Sequence, residues 1–261
     1  MSSEQDFLNK KWLKKLDRQT QEIIDRIGLD TKTQDEVFDK STLLTLEKLI
    51  SNKTIDIIDY PISTGKEGNV FLAITPDKKK IAVKIYRTST STFKHMQPYI
   101  IGDPRFQSIH KTRRDIIYAW TKKEYKNLQR LQKAGVNAPK PLKYIKNVLI
   151  MQYLGDSRKS APLLKDTQNI NAEETFKEII RNLSLMYNKA EIVHGDLSQY
   201  NILIYRKKPF IIDLGQGVLL EHMNSDDFLR RDITNIVKYF KKYKIDSNVK
   251  KIYEEITNKQ W

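Results

Sequence analysis

The chain has 261 residues, 39% of them hydrophobic and 10% aromatic, with 47 Lys and Arg against 32 Asp and Glu for a formal net charge of +15. That content suffices for a full core, while the lack of cysteine excludes disulfides and thiolate metal sites and four scattered histidines argue against zinc. No run approaches the ~18 apolar residues that spanning a bilayer needs, and the opening Met-Ser-Ser-Glu-Gln-Asp has no apolar signal core, so the expectation is a soluble cytoplasmic chain without a membrane partner.

Residues about 4–27 carry Phe7, Leu8, Trp12, Leu16, Ile23, Ile24 and Ile27 at helical spacing, and Ser41 stands where it would cap a second helix through Leu43, Leu46, Leu49 and Ile50. Asp39-Lys40-Ser41-Thr42 is the expected join to a catalytic core, which leaves 1–40 as a helical extension. Residues 62–73 read as strand, tight turn, strand, with Gly65 and Gly68 in the turn, where backbone N–H groups can approach phosphate oxygens. With two glycines instead of a full Gly-x-Gly-x-x-Gly, a plain hairpin has the same pattern.

Ile81-Ala82-Val83-Lys84-Ile85-Tyr86 follows the Val-Ala-Ile-Lys logic of a strand whose lysine neutralises α- and β-phosphates. Ala82 and Lys84 share one face of it. Residues 88–112 are Ser/Thr-rich without clear periodicity and read as a mobile insert. A helix follows over 112–134, with Ile116, Ile117, Trp120, Tyr125, Leu128 and Leu131 near a 3.6-residue period, and Glu124 within it is the preferred partner of Lys84. Val148-Leu149-Ile150-Met151-Gln152-Tyr153-Leu154-Gly155 is a buried strand ending at a glycine, placed where a two-lobed kinase has its hinge. Adenine would bond there to the backbone of Gln152 and Leu154, beside Met151.

The most informative stretch is Ile192-Val193-His194-Gly195-Asp196-Leu197-Ser198-Gln199-Tyr200-Asn201, followed by Ile211-Ile212-Asp213-Leu214-Gly215. In phosphoryl transfer an Asp accepts the acceptor hydroxyl proton, an Asn five positions on binds magnesium, and an Asp opening an Asp-x-Gly turn holds magnesium against the phosphates. Asp196, Asn201 and Asp213 have that spacing, and an oxygen-only site with few protein ligands suits magnesium. The apolar runs 202–205 and 210–212, with Arg206-Lys207-Lys208-Pro209 between them, predict a hairpin joining the two acidic positions. Late helices are expected over about 226–243 and 248–257.

Taken together these residues resemble a RIO-type atypical protein kinase of the type-one branch. The resemblance lies in Ser63-Thr64-Gly65-Lys66-Glu67-Gly68-Asn69-Val70, where that family usually has Ala at the place of Gly68, in Gly102-Asp103-Pro104-Arg105-Phe106, in Trp120-Thr121-Lys122-Lys123-Glu124-Tyr125, and in the segment 194–201. It covers about 42–243.

The resemblance implies an α+β, bilobal protein-kinase-like fold, with a small β-rich N-lobe over 41–154 and a reduced, mainly helical C-lobe over 155–261. It implies ATP and Mg2+, with Mn2+ as an alternative metal, and residues 63–70 as the phosphate loop. Asp196 would be the base, Asn201 and Asp213 the metal ligands, Lys84 with Glu124 the ion pair, and Gln152 with Leu154 the hinge. It also implies that Asp213 can accept phosphate as an aspartyl-phosphate, that the insert can carry an autophosphorylation site, for which Ser108 is the candidate, and that the protein acts in maturation of the small ribosomal subunit.

No Ala-Pro-Glu follows Asp213 and fewer than fifty residues remain after it, too few for the usual peptide-docking helices. Ser198 stands where many protein kinases have a Lys, which leaves Lys66 or Lys84 to help neutralise the γ-phosphate. The charge of +15 attracts polyanions, so rRNA and ribosomal proteins of a small-subunit precursor are the expected partners of a monomer. Three other readings stay open: a small-molecule phosphotransferase like aminoglycoside and choline kinases, whose polycationic substrates this charge would repel; a small kinase accompanying a tRNA-modifying complex, which the loop from Ser63 to Val70 fits less well; and a module for which ATP is only a conformational ligand.

Overall fold

The computed structural model describes residues 38–65, 67–88, 96–97, 99–106, 112–156 and 159–261. The expected helix at 4–27, Lys66 and Ser108 lie outside the described residues. Helix α1 (Lys40–Ser51) is capped by Asp39, whose side chain accepts from Thr42 N at 2.8 Å. The cap therefore sits two residues before the expected Ser41, which lies inside the first turn. Leu46 and Leu49 on its inner face are fully buried against the first sheet.

That sheet has five antiparallel strands in the order β1 (Ile57–Thr64), β2 (Gly68–Ile74), β3 (Lys80–Tyr86), β5 (Val148–Gln152), β4 (Pro141–Ile145). Phe71, Val83, Ile85, Val148 and Ile150 form the core between it and α1. Val70 pairs with Lys84 across β2 and β3, and Ala82 pairs with Met151 across β3 and β5. The period of two therefore sets Val70, Ala82, Lys84 and Met151 along one cleft.

Helix α2 (Arg113–Ala134) begins at a Thr112 cap and stops at Gly135, whose φ of 76° is the left-handed conformation a helix end needs. Its buried face carries Lys123, Glu124 and Asn127 beside the expected Ile117, Trp120, Leu128 and Leu131. Part of the insert also differs from the mobile loop expected for it. Met96 and Asp103 are buried, and Met96 packs with Tyr86, Ile117 and Trp120.

The second lobe holds the larger core, in which α3 (Ala172–Leu185) and α4 (Ser225–Phe240) meet α5 (Val249–Thr257). Helix α3 has no counterpart among the expected elements, and α4 ends at Phe240 because Lys241–Tyr243 tightens into a 3-10 turn. Strands β6 (Ile192–Val193) and β9 (Val218–Leu219) pair, as do β7 (Ile202–Tyr205) and β8 (Lys208–Ile211). The β7–β8 turn is shorter than the expected four residues: Arg206 and Lys207 alone turn the chain, at φ 51° and 63°, the two-residue geometry whose twist suits a hairpin. No helix among the described residues is long and apolar enough to cross a membrane.

Candidate active site

Between the lobes lies a cleft of about 550 Å³. Val70 and Ala82 form its roof and Leu203 and Ile212 its floor, so a flat ring system can lie between two apolar surfaces with polar groups at its edges.

At the phosphate turn, Gly65 N donates to the Gly68 carbonyl at 3.0 Å and closes the loop. Gly68 lies so near β3 that a Cβ there would stand 2.4 Å from the Ile85 carbonyl. Ser63, Gly65, Glu67, Gly68 and Val70 line the cleft, whereas Thr64 and Asn69 do not. The alternation of β2 turns Asn69 to the opposite face, where its Oδ1 accepts from Arg87 Nη2 at 3.1 Å.

Lys84 Nζ lies 2.9 and 3.0 Å from the two oxygens of Glu124 and 2.9 Å from Asp213 Oδ1. Burial alone would lower the lysine's pKa, but the carboxylates of Asp213 and Glu124 outweigh it and hold the group above the ordinary lysine value. Burial likewise pushes Glu124 up to about 7 against the attraction of Lys84. Burial opposes ionisation of Asp213 too, but Lys84 overcomes it and holds the carboxyl below its usual range. Asp213 has a φ of 64°, a conformation that costs a non-glycine residue on the order of 1–3 kcal/mol and persists where surrounding contacts impose it.

Across the cleft, Asn201 Nδ2 donates to the Asp196 carbonyl at 2.7 Å, which fixes the amide and leaves its oxygen as the free end. His194 joins the loop to the end of the hairpin: Nε2 meets the Ile212 carbonyl at 2.9 Å and Nδ1 faces Asp196 N at 3.3 Å, so Nε2 donates and Nδ1 accepts. Burial raises the pKa of Asp196, toward the range in which a carboxylate is an effective base. Asn201 and Asp213 both line the cleft, and the Asn201 Oδ1 and the Asp213 oxygen not held by Lys84 are hard oxygen donors of the kind magnesium prefers.

At the expected hinge two backbone groups are already engaged: Gln152 N donates to the Lys140 carbonyl at 2.8 Å, and the Leu154 carbonyl accepts from Ala161 N at 2.9 Å. The Gln152 carbonyl and the Leu154 N–H are the pair that can serve a base edge. Met151 lines the cleft beside them.

Sequence reasoning missed Asp232. It is wholly buried on α4 and accepts Gly195 N at 2.8 Å and Leu197 N at 2.7 Å, holding the loop on both sides of Asp196. The signal was an acid on the apolar face of α4, between Leu229 and Ile233. Burial pushes its pKa from 3.8 up to about 6. A raised carboxyl pKa gives stability that is present below the unfolded value and lost as pH rises through the folded one. Wild type should therefore lose on the order of 2–3 kcal/mol between pH 4 and 7 from this group. Asp232→Asn should flatten that slope in melting temperatures taken across the window, and an unaltered slope would assign it to other carboxyls.

The family model for the RIO domain matches residues 69–252. The chain belongs to the RIO family. A Rio1 serine/threonine-protein kinase of Methanocaldococcus jannaschii is 42% identical over 231 residues, 88% of this chain and 79% of the relative. Its namesake in Haloferax volcanii is 40% identical over 226 residues, 87% and 78% of the two chains. The human RIO1 kinase is 34% identical over 234 residues, but the chain spans only 41% of its length. Among solved structures, the Rio2 kinase of Chaetomium thermophilum in a complex with ADP, Mg2+ and phosphoaspartate superposes with a TM-score of 0.65 at 18% identity, covering 84% of this chain and 66% of that one. The fold is thus kinase-like, and the protein is an atypical serine/threonine protein kinase, an enzyme of phosphoryl transfer from ATP.

Proposed function

We propose that the cleft binds ATP with magnesium and passes its γ-phosphoryl group to serine or threonine hydroxyls, its own included, and to water. The observation that carries this reading is the Lys84 ammonium held between Glu124 and Asp213, with Asn201 of the facing loop lining the same cleft and Asp196, on that loop, near enough to feel the Asp213 charge. Asp196 accepts the proton of the attacking hydroxyl, Lys84 neutralises the α- and β-phosphates, and Asn201 with Asp213 would hold the metal. Bound magnesium, or manganese in its place, supplies charge neutralisation on the phosphate oxygens.

The hydrolytic branch runs through Asp213. A carboxylate oxygen bonds to the γ-phosphorus as the bond to the bridging oxygen of ADP breaks, and water then cleaves the acyl phosphate. The relative solved with a phosphoaspartate is named for such a species, which supports the branch in this chain. The charge of +15 supports a polyanionic dock such as the rRNA of a small-subunit precursor.

The test is incubation with γ-labelled ATP and magnesium, wild type beside Asp213→Asn. Label on a hydroxylamine-sensitive acyl phosphate, or mainly free phosphate, favours the hydrolytic switch; acid-stable phosphoserine favours the kinase; label independent of Asp213 overturns the assignment. Co-sedimentation with small-subunit precursors that weakens steeply with salt supports the dock, and its absence removes it.

A further inference from the structure

Gly102-Asp103-Pro104-Arg105-Phe106 contributes nothing to the cleft lining, yet Asp103 and Arg105 sit directly behind it. The Asp103 side chain is 1% exposed and grips Arg105 with both oxygens, Nε to Oδ1 at 2.8 Å and Nη2 to Oδ2 at 2.6 Å. Arg105 Nη1 then donates to Asn127 Oδ1 at 2.7 Å, and Nη2 reaches the Gly217 carbonyl at 3.3 Å. Asn127, fully buried on α2 within a turn of Glu124, donates from Nδ2 to the carbonyls of Leu214 at 2.8 Å and Gly217 at 2.9 Å. An unbroken chain of hydrogen bonds runs from the insert, through the helix that carries Glu124, to the turn that follows Asp213.

The direction of each bond matters. An Asn side chain has a donor end and an acceptor end, and the two carbonyls it faces can only accept. Arg105 can only donate, so at Oδ1 it fixes which end of the amide meets Leu214 and Gly217. The turn thus pinned begins at Asp213, whose left-handed backbone needs outside contacts to hold it. We infer that Arg105, clamped by Asp103, is a positioning residue for Asp213, acting through the Asn127 amide on the Leu214–Gly217 turn. The docked part of the insert is then a supporting element of the metal-binding carboxylate. This inference rests on the proposed magnesium role of Asp213.

The test is calorimetric binding of ADP, in EDTA and across a magnesium titration, for wild type, Arg105→Lys, Asn127→Asp and Asp213→Asn. Lysine keeps the charge but cannot grip Asp103 with two parallel bonds and reach Asn127 as well. Aspartate at 127 keeps an acceptor for Arg105 but has no N–H for the two carbonyls. Both variants should need about 10–100-fold more magnesium for the metal-dependent gain in ADP affinity, the range seen when an outer partner of a metal ligand is lost, with metal-free ADP binding little changed. Asp213→Asn should remove the magnesium dependence. If it does not, the magnesium reading of the site falls. If it does while Arg105→Lys and Asn127→Asp both titrate like wild type, the positioning inference falls and the site reading stands. Loss of metal-free ADP binding in proportion to a collapsed melting transition would make the network a folding element only and would also overturn the inference.

Discussion

Asp196→Asn is expected to lower phosphoryl transfer to protein about 10²–10⁴-fold, the range a positioned general base contributes, while ADP binds as in wild type. The loop around this residue is held by neighbours that the substitution leaves in place: Asp232 on the Gly195 and Leu197 amides, Asn201 on the Asp196 carbonyl, and His194 on Ile212. The amide is isosteric, so the change removes the proton acceptor and little else. Burial raises the pKa of Asp196, so the wild-type rate should rise with pH through that raised value and the residual rate of the variant should not. Single-turnover assays across pH decide it. A loss below tenfold, or an unchanged acid limb, would assign the base to another group.

Lys84→Met should be the most damaging single change to stability. It strips the partner from Glu124, whose side chain is 1% exposed, and one of the bonds from Asp213. Breaking a buried pair from one side costs about 3–5 kcal/mol, a fall in melting temperature on the order of 10 °C for a chain of this size. Glu124 is already pushed by burial up to about 7 with its lysine present, and without it the carboxyl moves further in that direction. A carboxyl with a raised folded pKa gives up its contribution as pH rises through that value. The deficit should therefore be smaller at pH 5, where Glu124 is protonated, than at pH 8. Adding Glu124→Gln to Lys84→Met should restore much of the melting temperature and none of the activity. Equal melting of wild type and Lys84→Met at pH 8 would mean that the pair contributes nothing net to the fold.

Much of this arrangement was legible because its signals are local. Gly65 and Gly68 between two apolar runs announce a tight hairpin, the alternation through Lys84 places it with Ala82, and the apolar period of 112–134 finds α2 together with Glu124. Helix α3 carries equally local signals, since Phe176, Ile179 and Leu183 have helical spacing and Asn171 caps the first turn, but it holds no chemical motif. The cap of α1 is ambiguous in the sequence because Asp39 and Ser41 are both good N-cap residues, and only the backbone, extended at Asp39 with a φ of −62° and ψ of 159°, decides between them.

Local sequence determined the strands, the main helices, the motif spacing and the kinase family, since turn chemistry and hydrophobic period act over a few residues. The tertiary structure alone decided which distant groups meet. Asp232 finds the Gly195 and Leu197 amides across more than thirty positions, and Arg105 reaches Gly217 across 112. Such partners are chosen by the burial of polar groups that must be satisfied once water is excluded, a condition that exists only after the chain has packed.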